Sequence, residues 1–248
     1  MKRKSIVASL VFALLLPAST AIAAGHVSWG YTGKGRPEYW GTLDPKFAVC
    51  SAGKNQSPIN LTGMIEADLT PMTVRYQPGG HEILNNGHTI QVNYVPGNTL
   101  TLDGHEFELK QFHFHSPSEN TIEGESYPLE AHFVHADKNG NLAAVALMFK
   151  IGGNNDELEK AWKQMPGKAD QKNALSQNVD AAALLPGNRD YYRFNGSLTT
   201  PPCSEGVRWL VLKDMATVSK EQVKTFSDVM HHPNNRPVQP VNARTILQ

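Results

Sequence analysis

Between residues 73 and 149 the chain runs through short stretches in which polar and apolar residues alternate, broken by turn signals. A period of two commits this half of the chain to strands, because successive side chains on a strand point to opposite faces. Residues 89–95 and 99–102 alternate in this way. Asp103-Gly104 follows them, a pair suited to a two-residue hairpin because both positions tolerate positive φ. The alternation continues over residues 106–114, and residues 129–135 and 142–149 read as further strands with Asn139-Gly140 as a second tight turn between them. Beyond this region residues 155–165 predict a helix stopped by Pro166, and residues 181–185 a short helical turn. Residues 191–194 and 207–212 predict strands. Ser219-x-x-Gln222 is a capping-box pattern and predicts a helix over residues 219–230. Residues 25–57, rich in glycine, proline and aromatics, predict an irregular packed segment. No linker-like stretch divides the chain, so the reading is a single, mainly β domain.

The first residues have another purpose. Lys2, Arg3 and Lys4 precede an apolar run over residues 6–16, and Ala21-Ile-Ala23 is a small-x-small cleavage pattern. Together they predict a signal peptide over residues 1–23, leaving an exported domain over residues 24–248. The apolar run is shorter than the ~20 residues that span a bilayer, and no later run is apolar enough, so no membrane association is expected after cleavage. Lysine plus arginine balance aspartate plus glutamate at 23 each. With no basic block, nothing points to nucleic acid. The chain has two cysteines, Cys50 and Cys203. In an exported protein such a pair is usually a disulfide, with two free thiols as the alternative. They are too far apart to make a metal motif, so any metal must rely on histidine and carboxylate.

Gln111-Phe-His-Phe-His115 supplies those histidines. On a strand Gln111, His113 and His115 share one face, with Phe112 and Phe114 behind them in the core. In Glu130-Ala-His-Phe-Val-His135, Glu130, His132 and Val134 share a face and His135 takes the other. His132 is therefore the expected third ligand and His135 a core histidine. Three neutral imidazoles leave one tetrahedral position of a zinc ion open, the arrangement of catalytic rather than structural zinc. Gln111 and Glu130 lie on the same faces and can accept the second ring N–H of a ligand histidine.

These segments closely resemble the zinc motif of the α-class carbonic anhydrases. The likeness extends over nearly the whole mature chain, through Trp29-Gly-Tyr31, Gln56-Ser-Pro-Ile59, Leu84-Asn-Asn-Gly-His88, Ser118-Glu-Asn120, Gly196-Ser-Leu-Thr-Thr-Pro-Pro-Cys203, Gly206-Val-Arg-Trp209 and Asn235-Arg-Pro-Val-Gln-Pro240. The resemblance implies a large, twisted, mostly antiparallel central sheet with short peripheral helices. It implies a Zn2+ enzyme for the hydration of CO2 to bicarbonate, sensitive to sulfonamides and anions, and a possible homodimer in a bacterial periplasm. It assigns His113, His115 and His132 to zinc, and Gln111, Asn234 (through its carbonyl) and Glu130 to their outer ring nitrogens. Thr199 is expected to accept a hydrogen bond from the attacking hydroxide while donating to Glu119. Val134, Leu198, Val207 and Trp209 form the CO2 wall, with Ala144 where a larger aliphatic residue is common, and Thr200 contacts bicarbonate. His88 is the expected proton shuttle, served by a water chain over Tyr31, Asn86 and Gln91. Asn120 stands where many members have histidine. A Cys50–Cys203 bond would tie the Thr199 loop to the N-terminal segment.

Two other readings compete. His113-x-His115-x-x-x-Glu119 also fits the metal motif of cupins, with Glu119 as a ligand of iron or manganese, but neither His132 nor the Thr199 loop belongs to that pattern. A non-enzymatic binding module on the same fold is the second, and such relatives typically lack a zinc histidine.

Overall fold

The computed structural model describes residues 28–248; the expected signal peptide lies outside them. The N-terminal segment is a string of single turns: 3-10 turns at Gly33–Gly35, Pro37–Tyr39 and Pro45–Phe47, with α1 (Trp40–Leu43) and α2 (Val49–Ala52). Trp40 holds it together, fully buried, its indole N–H donating to the carbonyls of Gly30 and Gly35 at 3.0 and 2.8 Å.

Thirteen strands follow among the described residues. They are β1 (Asn60–Leu61), β2 (Thr73–Arg75), β3 (Gly80–Asn85), β4 (Ile90–Tyr94), β5 (Thr99–Leu102), β6 (His105–His115), β7 (Thr121–Ile122), β8 (Leu129–Ala136), β9 (Leu142–Ile151), β10 (Gln171–Val179), β11 (Tyr191–Ser197), β12 (Glu205–Leu212) and β13 (Ala216–Val218). Eleven form one sheet whose spine runs β10-β3-β4-β6-β8-β9-β12-β11, with β5 pairing β2 and β6, and β13 pairing β9. The pairings are antiparallel except that β12 and β13 both run parallel to β9. The expected mostly antiparallel sheet is thus present. The Asp103-Gly104 turn joins β5 to β6 with both residues at positive φ, 50° and 75°, as the hairpin signal required.

The sheet has two apolar faces. On one, Phe112, Phe114, Phe133, Val145 and Leu147 pack with Leu158 and Trp162 of α3 (Asp156–Trp162), Leu184 of α4 (Ala181–Leu184) and Phe226 of α5 (Lys220–Met230). On the other, Ala144, Ala146, Met148, Phe194 and Trp209 form a second cluster. Residues 143–149 of β9 are accordingly all buried, the pattern of a strand covered on both sides. Ser219 caps α5 through the reciprocal bonds its sequence predicted.

The short β1 and β13 were not read as strands from the sequence, and two larger departures concern β10 and β6. β10 carries the polar run Gln171–Val179, mostly exposed; it has no apolar alternation to announce it and exists because β3 offers an edge to pair with. The other departure is in β6, which does not alternate evenly. Phe107 and Leu109 are buried, and then so are Phe112 and Phe114. The change of parity is a bulge: Leu109 pairs with His135 and Gln111 with Val134, leaving Lys110 without a partner. One extra residue re-aims everything after it. Without it Gln111, His113 and His115 would point into the same core as Phe107.

Candidate metal centre

The bulge turns the histidine row of β6 toward the face occupied by His132 of β8, and the register sets His113 directly opposite His132. The ring centroids of His113, His115 and His132 lie 4.6 to 5.4 Å apart. One ring nitrogen from each falls within 4.8 Å of the others. His113 is half-buried and the other two are buried.

The outer nitrogens decide which atoms face inward. His113 Nδ1 is 2.9 Å from Gln111 Oε1, and His115 Nδ1 is 2.8 Å from the Asn234 carbonyl. Both rings therefore turn Nε2 to the centre. For His132 the roles reverse: Nε2 lies 2.9 Å from Glu130 Oε1, off line for a straight hydrogen bond, and Nδ1 points inward. Glu130 is held in turn by three N–H donors, Glu119 N at 2.6 Å and Asn120 N at 3.0 Å on one oxygen, and Asn120 Nδ2 at 2.8 Å on the other. Asn120 thus hydrogen-bonds Glu130 directly. The edge of Trp209 packs on His132 with centroids 4.8 Å apart.

Burial lowers the pKa of all three histidines, most strongly for His113 and His132, so they are neutral donors. His115 Nε2 and Glu119 Oε2 are buried without a hydrogen-bond partner and lie 3.5 Å apart. Orphaned polar atoms in a dry interior are costly unless something completes them. Three imidazole nitrogens with outer acceptors suit zinc well, so the residues fit that ion.

Glu119 receives the Arg236 backbone N–H on Oε1 at 2.8 Å. Burial pushes its carboxyl up, whereas that N–H and the nearby Thr199 hydroxyl draw it down. A dication held by the histidines acts in the second sense as well. The cupin arrangement is not what the fold builds, because the third histidine converges with the other two and Glu119 Oε1 is taken by a backbone amide.

A cavity of about 170 Å³ opens from the histidines to solvent. Its lining includes the apolar side chains of Val134, Ala144, Leu198, Val207 and Trp209, of which Val134, Ala144 and Trp209 are neighbours across β8, β9 and β12, together with Thr199 and Thr200. Trp209 spends its N–H on the Ser197 carbonyl at 3.0 Å and so shows the cavity only carbon. The polar part of the lining includes Tyr31, Asn86, His88, Gln91 and Gln111. Asn86 commits its side-chain oxygen to the turn, accepting from His88 N and Thr89 N. Gln91 donates to Asn93 at 2.7 Å. Tyr31 Oη is buried without a partner. His88 lies flat on Trp29 with centroids 3.6 Å apart and planes at 8°; burial lowers its pKa.

Three lining residues were not singled out as functional from sequence: Trp29, Thr89 and Leu142. Leu142 was detectable, since it shares parity with Ala144 on β9. Thr89 binds the Phe114 carbonyl at 2.5 Å across two strands, a contact no local pattern announces. Cys50 and Cys203 form a disulfide across 153 positions, placing the 199–203 loop against α2.

Comparison with known proteins agrees with this geometry. The family model for eukaryotic-type carbonic anhydrase matches residues 35–248. A carbonic anhydrase of Pectobacterium carotovorum is 54% identical over 92% of this chain and 93% of its own length. One from Neisseria gonorrhoeae is 49% identical over 95% of each. Among solved structures, the α-carbonic anhydrase of Thermovibrio ammonificans, in complex with the inhibitor sulfanilamide, superposes with a TM-score of 0.89 at 51% identity, covering 90% of this chain and all of that one.

Proposed function

We propose a working mechanism from a fixed premise: this chain belongs to the eukaryotic-type, or α, carbonic anhydrase family. It is a carbonic anhydrase with zinc as its metal, and the general reaction of the family is CO2 plus water to bicarbonate plus a proton. The observation that carries the finer reading is the convergence, in a cavity with apolar side chains in its lining, of three neutral histidine nitrogens beside an unpartnered Glu119 oxygen. A zinc ion held by His113, His115 and His132 would lower the pKa of a bound water to about 7, a value known for carbonic anhydrase itself, and would so supply a nucleophile at neutral pH.

The chain's own residues do the rest. Glu119 is fixed by the Arg236 amide on one oxygen and offers the other to the Thr199 hydroxyl. A threonine that donates to Glu119 has only acceptor lone pairs left for the nucleophile. Thr199 therefore selects a nucleophile that still carries one proton and aims its lone pair at the apolar lining. Val134, Ala144, Leu198, Val207 and Trp209 hold the apolar CO2 there. Thr200, in the cavity lining, meets the bicarbonate oxygens as they form. The released proton passes to His88 through waters ordered by Tyr31, Asn86 and Gln91. With its pKa lowered by burial, His88 is a neutral acceptor at neutral pH. Sulfonamide inhibition, as in the Thermovibrio ammonificans complex, fits the same open position.

Export belongs to the proposal too. Residues 1–23 act as a signal peptide, residues 24–248 form the catalytic domain, and the periplasm of a bacterium is the destination. The disulfide supports this, and no helix among the described residues is long and apolar enough to cross a membrane. A homodimer is proposed from family resemblance alone.

Stopped-flow CO2 hydration by the zinc-loaded mature protein, followed with a pH indicator, tests the reading. Fast hydration abolished by a sulfonamide is the expected result. A folded chain with one zinc and no hydration refutes it.

A further inference from the structure

Residues 231–240, between α5 and the C-terminus, have no regular secondary structure. α5 ends with His231 in the left-handed region at φ 62°, and Pro233 and Pro237 have no N–H to give. No ladder holds this stretch, yet the metal centre leans on it at several points. The Asn234 carbonyl accepts from His115 Nδ1 at 2.8 Å. The Asn234 side chain accepts from Ser116 N at 2.9 Å and donates to the carbonyls of His88 and Phe114 at 3.1 and 2.9 Å. The Arg236 amide holds Glu119 Oε1.

What anchors the stretch is the Arg236 side chain, which is 2% exposed. One terminal nitrogen donates to the Cys50 carbonyl at 2.7 Å. The other donates to the Ser57 carbonyl at 2.7 Å and to Gln56 Oε1 at 3.0 Å. The guanidinium carbon lies 5.6 Å from the ring centroid of buried Trp40, a favourable seat for a cation. Gln56 closes the set by donating to the Cys203 carbonyl at 3.0 Å. Both half-cystines therefore join the same network. A planar fork reaches these three acceptors from two fixed nitrogens, whereas a lysine carries all its donors on one nitrogen.

We propose that Arg236 is a positioning residue for the zinc reaction. By clamping its own loop to Cys50, Gln56 and Ser57, it sets the Asn234 carbonyl against His115 and its own amide against Glu119. The inference rests on the reading of the three histidines as zinc ligands, and it makes the N-terminal segment a support of the metal site.

The test is the rate of zinc transfer from the holoenzyme to excess chelator, read with a metallochromic dye at 25 °C in the wild type, in Arg236→Lys and in a core control. Leu102→Ala is a suitable control, in the buried part of β5, with urea midpoints measured for all three. Arg236→Lys is expected to release zinc about tenfold faster, the lower end of what removing a direct partner of a ligand histidine does. The control should release it at the wild-type rate despite a lowered midpoint. Release from folded Arg236→Lys within about twofold of wild type, or equal acceleration in the control, overturns the proposal. Should Arg236→Lys not fold, Gln56→Ala takes its place; a several-fold faster release supports the clamp and an unchanged rate overturns it. Zinc release is read without the hydration assay, so a wild type that holds zinc but hydrates no CO2 refutes the functional reading alone.

Discussion

His135 carries a pH dependence that one substitution isolates. It sits on β8 three residues past His132, on the opposite side of the strand, and is fully buried. Its Nε2 lies 2.5 Å from the Tyr76 hydroxyl and its Nδ1 3.2 Å from the Ala143 carbonyl. Burial raises the tyrosine's pKa, so that hydroxyl keeps its proton and donates. The Ala143 carbonyl can only accept, so Nδ1 carries the proton, and in the neutral imidazole Nε2 accepts from the Tyr76 hydroxyl. Burial draws its pKa from 6.5 down to about 4. The groups acting on its partner Tyr76 are Tyr94 and Arg189. As pH falls, the unfolded histidine takes up a proton near 6.5 and the folded one only near 4. The contribution to stability is thus complete above the unfolded value and is lost as pH falls toward the folded one. At about 1.4 kcal/mol per pH unit, the gap is worth roughly 3 kcal/mol. His135→Gln keeps an acceptor for Tyr76 and a donor for Ala143 but does not titrate. It should cost about 1–2 kcal/mol at pH 7.5 through imperfect fit. Urea unfolding of zinc-free wild type and variant at pH 7.5 and pH 4 measures the difference, with every other titrating group common to both. Wild type should lose about 3 kcal/mol more than the variant, so that the variant becomes the more stable at pH 4. Losses parallel to within about 0.5 kcal/mol would show that His135 is not held neutral.

Three further outcomes are expected. His88→Ala should slow turnover about tenfold or more in weak buffer and regain it with imidazole, since a relay limits turnover only when buffer cannot substitute; unchanged weak-buffer turnover removes His88 from the pathway. Reduction of Cys50–Cys203 opens a loop of 153 positions and should cost about 5 kcal/mol by loop entropy, so a urea midpoint that stays put with both thiols demonstrably free would contradict it. Glu130→Ala removes the acceptor beside His132 Nε2 and should weaken zinc binding about 10- to 100-fold in a chelator competition. Wild-type affinity would mean that Glu130 does not orient its histidine.

Local pattern reached far in this chain because several of its determinants are local. Alternation located β4 and β5, the runs over residues 129–135 and 142–149 read as strands and form β8 and β9, and Asp103-Gly104 and the Ser219 capping box marked a turn and a helix start by their own chemistry. Side-chain parity placed His132 with the β6 histidines and sent His135 to the other face, and the structure shows both. Parity along β8 is a property of eight consecutive residues, so the sequence by itself determined it.

What needed tertiary structure is what depends on distant partners. β10 has no apolar stripe and takes its form from the free edge of β3. The sequence does show the apolar positions change parity, from Phe107 and Leu109 to Phe112 and Phe114 across the polar pair Lys110-Gln111, but that Lys110 is the residue left unpaired is defined only by the strand opposite. The bulge decides whether the β6 histidines face His132 or the core. Arg236 reads as one more cation in the sequence, and only packing shows it buried on the carbonyls of Cys50 and Ser57. The sequence by itself determined the donor set and the strands that carry it. The tertiary structure decided how the rows are aimed and what holds them there, because register, burial and backbone acceptors are set by residues far away along the chain.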